Sequence, residues 1–388
     1  MTGRICVVTG SRADYGLLQG LMRAIAGDPG LRLQTVATGM HLVPEFGLTW
    51  REIERDGFAL DAKVETVLGG DTAVAVGKAV GLGVIGFTEI LERLGPDLVV
   101  LLGDRYEVFA AAQAAMVLQI PVAHLGGGDT GAGTIDNVIR HCITKIASLH
   151  FVTHAEARRR VLQLGEDPER VFCVGSTGVD AILATPLLDR AALERELGVS
   201  FRETILLATF HPLTMDAGSA PDQLRALLEV LEEFRAGGAC SVVFTKANAD
   251  HGGRELNRIL EQHGSGREGW HLFSSLGRVN YLSLVRQAAA VVGNSSSGIY
   301  EAPYLGTPTV DIGSRQQGRA APASVLRCEP DARSIRAAIR AALAFRFEGV
   351  GMIYGDGRAC ERILAGIKQF VEVPGLARKA FFDLGGPA

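Results

Sequence analysis

Residues 293–319, GNSSSGIYEAPYLGTPTVDIGSRQQGR, carry the reading that decides the fold of this chain. The apolar run Ala290–Val292 just before them reads as a strand and ends in a Gly-Asn-Ser-Ser-Ser-Gly turn. A helix is expected to start there, with Glu301 one turn in. A second strand, Pro308 to Ile312, ends in another glycine-led polar turn bearing Arg315 and Arg319. Small residues at a strand-to-helix turn let backbone N–H groups approach a phosphate, and the helix N-terminus adds a favourable dipole. A carboxylate one turn in can take the two hydroxyls of a ribose, as an acidic residue does in dinucleotide folds. Ser295, Ser296, Ser297, Gly298 and Glu301 are therefore read as holding a nucleoside diphosphate. The competing reading is a β-α-β unit with an ordinary turn.

Outward from that stretch, short apolar runs alternate with longer amphipathic segments. Strands are predicted at Ile5–Thr9, Leu33–Ala37, Leu98–Leu102, Val122–His124, His150–Thr153 and Val171–Val174. A second set follows at Ile205–Thr209, Ser241–Thr245, His271–Phe273, Ala290–Val292 and Thr309–Ile312. Helices are predicted at Arg105–Gln119, Ala155–Leu164, Ala220–Ala236, Asp331–Phe345 and Arg358–Phe370. Repeated β-α alternation means parallel sheets wrapped by helices, an α/β class. With 388 residues, two domains are the natural expectation. The helix-rich stretch near 178–203 separates the two sets. The domains are drawn as 1–178 and 179–356, with 357–388 as a C-terminal helix and a tail with few core-forming features. Two such domains facing each other leave a cleft at the carboxyl ends of their strands, where ligands bind.

Composition narrows the function classes. Hydrophobic residues make up 47% and charged residues 21%, as in a compact soluble protein. A net charge of −4 and a pI near 6.2 imply no general attraction to nucleic acid or to an anionic membrane. No apolar run of membrane-spanning length stands uninterrupted, and the N-terminal MTGRICVVTG is too short for a signal peptide. The 6 cysteines are scattered, with no C-x-x-C pair, so zinc and redox motifs have no support. A reducing cytoplasm is the expected compartment.

The polar residues cluster just after predicted strands. SRADYG follows the first with Arg12 and Asp14. Arg12 suits a phosphate or sugar, and Asp14 reads either as a ligand contact or as a helix cap. The stretch is not G-x-G-x-x-G, so a nicotinamide site is not indicated. TGMHLVPEFG brings His41 and Glu45, facing a ligand or merely on a surface loop. GDRYE brings Asp104, Arg105 and Glu107 to the end of a fully buried strand, where Asp104 is a cap or an acid–base group. AHLGGGDTGAGTIDNVIRH, residues 123–141, is glycine-dense and carries Asp129, Asp136 and Arg140. Asp136 and Arg140 also have the spacing of a simple helix pair. Three carboxylates on adjoining loops exceed what capping requires and suit proton transfer in sugar chemistry. In the second half, His211 follows a strand in ATFHPLTMD and can donate to phosphate oxygens. Asn248 and Asp250 follow the next strand, and Tyr281 reads as core packing or as a base-stacking ring.

Taken in order, SRADYG, GDRYE, the HLGGGD…TIDNVIRHCITK block, FHPLTMD and residues 293–319 resemble the UDP-N-acetylglucosamine 2-epimerase family. The hydrolysing branch, which supplies precursors of sialic and legionaminic acid, is the nearer match, over residues 4 to 372. The resemblance implies two Rossmann-like domains of the GT-B type, a site in the cleft between them, and a C-terminal helix returning to the N-terminal domain. It implies catalytic roles for Asp104 and Asp136, with Arg105 and His211 near the diphosphate and sugar. Asn248 and Tyr281 fall around the uridine, Ser295 and Ser296 at the pyrophosphate, Glu301 at the ribose and Arg315 in the nucleotide pocket. Arg12 and Asp180 match sugar-nucleotide contacts. A UDP-sugar substrate, a UDP product and a homo-oligomer (dimer or tetramer) are implied as partners, and neither a metal nor a cofactor is needed.

One position departs from the family. Many hydrolysing members have H-I-E-G-G-E, with a catalytic glutamate two residues after the histidine. Here the run is H-L-G-G-G-D, which puts Gly126 at that glutamate and Asp129 at the second one. Glycine transfers no proton, so either Asp129 reaches in or the site has been opened for a bulkier C4 substituent such as an acetamido group. The implied reaction is anti elimination of UDP to a 2-acetamidoglycal, then hydration, with Asp104 and either Asp136 or Asp129 handling protons. The rival readings are a non-hydrolysing epimerase, a GT-B glycosyltransferase and a sugar-nucleotide sensor without turnover.

Overall fold

Short continuous runs of apolar residues build two parallel sheets in the computed structural model, which describes residues 2–68, 72–130, 135–212, 219–247, 253–348 and 351–385. Among these residues the first sheet holds β1 (Gly3–Thr9), β2 (Leu31–Thr38), β3 (Ala62–Val64), β4 (Leu98–Leu102), β5 (Val122–Leu125), β6 (Leu149–Val152) and β7 (Val171–Cys173). The second holds β8 (Thr204–Thr209), β9 (Cys240–Thr245), β10 (Trp270–Phe273), β11 (Ala290–Gly293), β12 (Thr309–Ile312) and β13 (Val325–Cys328). Their orders are β3-β2-β1-β4-β5-β6-β7 and β10-β9-β8-β11-β12-β13. Neighbouring strands are parallel, for example Val7 opposite Thr35 and Val100, and Val292 opposite Ala208 and Val310. The strand order reverses between β1 and β4, and again between β8 and β11. At such a reversal the flanking loops part to opposite faces and leave a crevice at the carboxyl ends of the strands.

Both faces of each sheet are covered, which is why the strands read as continuous apolar runs. Ile5 and Val7 point to one side, against the helices Arg12–Ala26 and Ala359–Phe370. Cys6 and Val8 point to the other, against Ala73–Leu94 and Tyr106–Val117. In the second sheet Leu206 and Ala208 face the helices Ala220–Ala236, Gly253–Gly264 and Ala332–Leu343. Ile205 and Leu207 face Arg190–Leu197 and Gly277–Gln287. The chain divides into one unit of Met1–Ala181 with Tyr354–Ala388, and a second of Ile182–Ile353.

Three features go beyond the sequence reading. β3 and β13 are short edge strands with one paired side each. The helix Ala73–Leu94 has a mean hydropathy of 1.7 and meets the length and composition of a membrane span. It packs along the helix Tyr106–Val117 through Ala79, Gly83, Phe87 and Leu91, while Val74 and Ile85 stand exposed. The C-terminal tail is anchored after all. Leu376 is buried, and Lys379 donates to the carbonyl of Ala147 at 2.7 Å and to the buried carboxylate of Glu166.

Candidate functional site

In the first unit the polar residues gather at the β1–β4 reversal. Asp104 follows β4 and is three-quarters buried, while Arg140 comes from the helix Ile135–Ile146. Arg140 donates through one terminal nitrogen to Asp104 and through the other to the Gly126 carbonyl at 2.6 Å. Arg140 is therefore not the helix partner of Asp136 that the spacing suggested. Burial pushes the Asp104 carboxyl above its ordinary range; Arg140 opposes this and the charge of Asp136 adds to it. Asp136 thus lies in the field of Asp104, although its own side chain is exposed in the first turn of its helix. His124, fully buried on β5, donates from Nε2 to the Gly103 carbonyl at 2.8 Å. Burial lowers its pKa to about 3, so a neutral imidazole pins the turn that carries Asp104.

Gly126 has a φ of +77°, a left-handed conformation that glycine adopts without strain. The nearest atom to a Cβ placed there would be Arg140 Nη1, at 3.6 Å. On the other flank, the amide of Asp14 donates to Ser11 Oγ at 3.3 Å, so Ser11 caps the helix and Asp14 does not. The Asp14 carboxylate is held 4.0 Å from Arg105 Nε, and burial pushes it up. Arg105 is bonded to Glu107 at 2.5 Å.

Other sequence candidates have partners elsewhere. The Asp129 carboxylate accepts from Thr153 Oγ1 at 3.2 Å and lies 3.0 Å from His154 Nε2. His154 Nδ1 accepts from the Ala157 amide, so its Nε2 carries the proton toward Asp129. These bonds tie the glycine loop to the end of β6, and the structure does not bring Asp129 to Asp104. His41 is fully buried, with Nε2 3.0 Å from Thr9 Oγ1 and Nδ1 2.8 Å from Thr49 Oγ1. Both ring nitrogens face threonine hydroxyls of the same unit. Asp180 caps the helix Ala359–Phe370, accepting from the amides of Ala359 and Cys360 at 2.9 and 2.7 Å. Arg12 points outward to Glu52 at 3.0 Å, its side chain 74% exposed. Asn248 and Asp250 lie outside the described residues, as does the LTMD part of FHPLTMD.

The second unit builds its polar group at the β8–β11 reversal. Gly293 has a φ of +137°, and a Cβ there would come within 1.9 Å of the Thr209 carbonyl, so only glycine lets these strand ends meet. Asn294 then clamps His211 from both sides: Oδ1 accepts from its amide at 2.7 Å and Nδ2 donates to its carbonyl at 2.8 Å. Arg315 and Gln316 donate to the Asn294 carbonyl at 3.2 and 2.8 Å. Tyr281 donates to Ser297 Oγ at 2.7 Å, and Ser297 donates to Glu301 at 2.5 Å. The Tyr281 ring packs in the apolar cluster beneath, so its hydroxyl positions Ser297 and, through it, Glu301. Burial pushes the Glu301 carboxyl up while the Ser297 hydroxyl opposes it.

The expected helix here is a single turn, Ser297–Tyr300, followed by the 3-10 turn Ala302–Leu305. Pro303 cannot donate to a continuing helix, so Glu301 sits at the join. A single turn has little dipole, and the anion-binding capacity rests on individual donors. The amides of Ser295 and Ser296 have no acceptor among the described residues. Amides, hydroxyls and one carboxylate suit a diphosphate and a diol; the acids and guanidiniums of the first unit suit proton transfer. Sequence reasoning placed Glu107, His124 and Arg140 in the post-strand clusters without these partners, and did not single out Asn294.

The family model described as UDP-N-acetylglucosamine 2-epimerase matches residues 23–368. A hydrolysing GDP/UDP-N,N'-diacetylbacillosamine 2-epimerase of Campylobacter jejuni is 41% identical over 317 residues, covering 81% of this chain and 82% of that one. A hydrolysing UDP-N,N'-diacetylbacillosamine 2-epimerase of Legionella pneumophila is 32% identical, covering 93% and 94%. Among solved structures, the Neisseria meningitidis UDP-GlcNAc 2-epimerase bound to UDP-GlcNAc has a TM-score of 0.76 at 16% identity, covering 94% of this chain and 100% of that one. The enzyme from Methanocaldococcus jannaschii has a TM-score of 0.77 at 18% identity, covering 94% and 99%. At those identities the likeness establishes the fold, two doubly wound α/β domains of the GT-B type. By the family match and the two hydrolysing relatives, this chain belongs to the UDP-N-acetylglucosamine 2-epimerase family.

Proposed function

We propose that this protein is a hydrolysing 2-epimerase of a UDP-linked 2,4-diacetamido-2,4,6-trideoxy sugar, UDP-N,N'-diacetylbacillosamine, releasing UDP and the free manno-configured sugar. The observation that carries this reading is the 41% and 32% identity to hydrolysing relatives named for that sugar. Gly126 agrees with it: this position, held by a glutamate in many hydrolysing members, carries no side chain here and has a left-handed backbone.

The C2 proton of the sugar lies beside no carbonyl, so its removal needs a held carboxylate and a good leaving group at C1. One carboxylate takes the proton as the C1–O bond to UDP breaks, leaving a 2-acetamidoglycal. Water then adds at C1 while a second group returns a proton to C2 on the opposite face. Asp104 and Asp136 are the two carboxylates in this reading, with Arg140 fixing the first. Asp129 has no part in it, because its bonds hold the glycine loop to β6. The charge that develops on the diphosphate is met by Arg105, His211, Arg315 and the amides of Ser295 and Ser296, and Glu301 takes the ribose hydroxyls. The reading includes service in nonulosonic acid synthesis in the cytoplasm. It also includes a homo-oligomer, supported by the exposed apolar residues Val74, Leu82 and Ile85 on one helix.

The test is nucleotide release from three substrates: UDP-N,N'-diacetylbacillosamine, its GDP-linked counterpart and UDP-N-acetylglucosamine. The first is expected to have the highest kcat/KM. The GDP-linked sugar is included because the Campylobacter relative is named for both nucleotides. Release from UDP-N-acetylglucosamine alone would overturn the substrate assignment, and release from none would overturn the activity.

A further inference from the structure

Three strand ends of the first unit converge on one carboxylate that the mechanism above leaves unused. Glu107 lies in the first turn of the helix Tyr106–Val117 and is 0% exposed. Its Oε1 accepts from Arg105 Nε at 2.5 Å. Gly10 after β1 and Gly39 after β2 press their bare backbones against it. A Cβ at either position would come to 2.6 or 2.8 Å of Oε1. Asp14 adds a second carboxylate 4.0 Å from the same Nε, and Met40 Sδ lies 3.5 Å from Arg105 Nη2. Glu107 Oε2 and Asp14 Oδ2 are both buried without a hydrogen-bond partner among the described residues. Two buried carboxylates with idle oxygens around one guanidinium carry a desolvation cost that packing alone does not return.

The arrangement separates two ion pairs on neighbouring residues. Asp104 is matched by Arg140, and Arg105 by Glu107, so Arg105 is not drawn across to neutralise Asp104. Arg105 is gripped by its Nε edge, Nη1 has no acceptor among the described residues, and the side chain is 33% exposed. A guanidinium held in this way needs no reorganisation when negative charge develops near it. We propose that Glu107, assisted by Asp14, is a positioning residue for Arg105, holding its terminal nitrogens ready for the anionic oxygens of a nucleoside diphosphate. This rests on the epimerase reading for the identity of that anion.

The experiment is a double-mutant cycle of Glu107→Gln and Arg105→Ala, read on kcat/KM for the sugar nucleotide and on the Kd for UDP. Thermal melting monitors the fold. Glu107→Gln keeps the shape and an acceptor but removes the charge. It is expected to lower kcat/KM by about 10- to 100-fold with Arg105 present, and by less than about twofold in the Arg105→Ala background. Glu107→Asp should recover part of the loss. Losses of equal size in both backgrounds, or wild-type kcat/KM in Glu107→Gln, would overturn the proposal. Should Glu107→Gln fail to fold, Arg105→Lys decides, because lysine cannot be gripped through an Nε edge. It is expected to lose as much as Arg105→Ala, and full activity would overturn the proposal. A failed epimerase reading leaves all the proteins without turnover but the coupling visible in UDP affinity; failure of the positioning role removes the coupling itself.

Discussion

At its sheet reversal the first unit sets Asp14, Glu107 and Asp104 against Arg105 and Arg140, while the second sets one carboxylate, Glu301, among hydroxyls, amides and the Asn294 clamp. The topology is the same in both: a doubly wound parallel sheet with polar residues at the carboxyl ends of the strands flanking the reversal. In the proposed reading the chemistry differs because the tasks differ. Moving protons requires titratable groups held away from their ordinary pKa, which partial burial beside a fixed cation provides. Holding a diphosphate and a diol requires donors at fixed positions and no titration. The crevice is given by the fold, and the residues on two or three strand ends decide what happens in it.

That contrast makes opposite demands on mutants of the two units. The largest effect is expected from Asp104→Asn, which should lower kcat by about 10³-fold or more, the scale of a lost acid–base group. UDP affinity, measured by calorimetry, should stay within about threefold of wild type. A parallel loss of affinity would break the division. Glu301→Ala should do the reverse, raising the Kd for UDP by about 10- to 100-fold, as expected when a charged hydrogen-bond acceptor is removed. An unchanged Kd would remove Glu301 from ribose binding. Asn294→Ala releases the His211 backbone from both sides and should cost about 3- to 10-fold in UDP affinity, the scale of one ordinary hydrogen bond.

The smallest effect is on stability. Burial lowers the pKa of His41 from 6.5 to about 4, so the folded protein resists protonation that the unfolded chain accepts. The unfolded state then binds more protons between about pH 4 and 6.5, and stability falls as pH drops through that window. His41→Asn should flatten this part of a plot of urea midpoint against pH. An unaltered slope would mean that other groups set it.

Much of the fold was legible because both sheet faces are covered, which makes buried strands stand out as apolar runs such as Leu98–Leu102. The strands that escaped, Ala62–Val64 and Val325–Cys328, are edge strands too short to show a period. The helix Ala73–Leu94 escaped because glycines at 77, 81, 83 and 86 weaken its propensity and its near-uniform apolarity hides the periodicity. At the site, residue types at strand ends pointed to the right neighbourhoods but not to partners. Asp136 and Arg140 have the spacing of a helix pair, yet Arg140 reaches 36 residues back to Asp104. Asp180 caps a helix whose first residue lies 179 positions onward. Contacts so distant in sequence leave no local pattern.

The central claim, that the first unit handles protons while UDP departs, is tested most directly by proton NMR of the reaction in D₂O with UDP-N,N'-diacetylbacillosamine. The prediction is free manno-configured sugar carrying one deuterium at C2, formed in step with UDP. UDP release with protium retained at C2 would show simple hydrolysis without elimination and would contradict it.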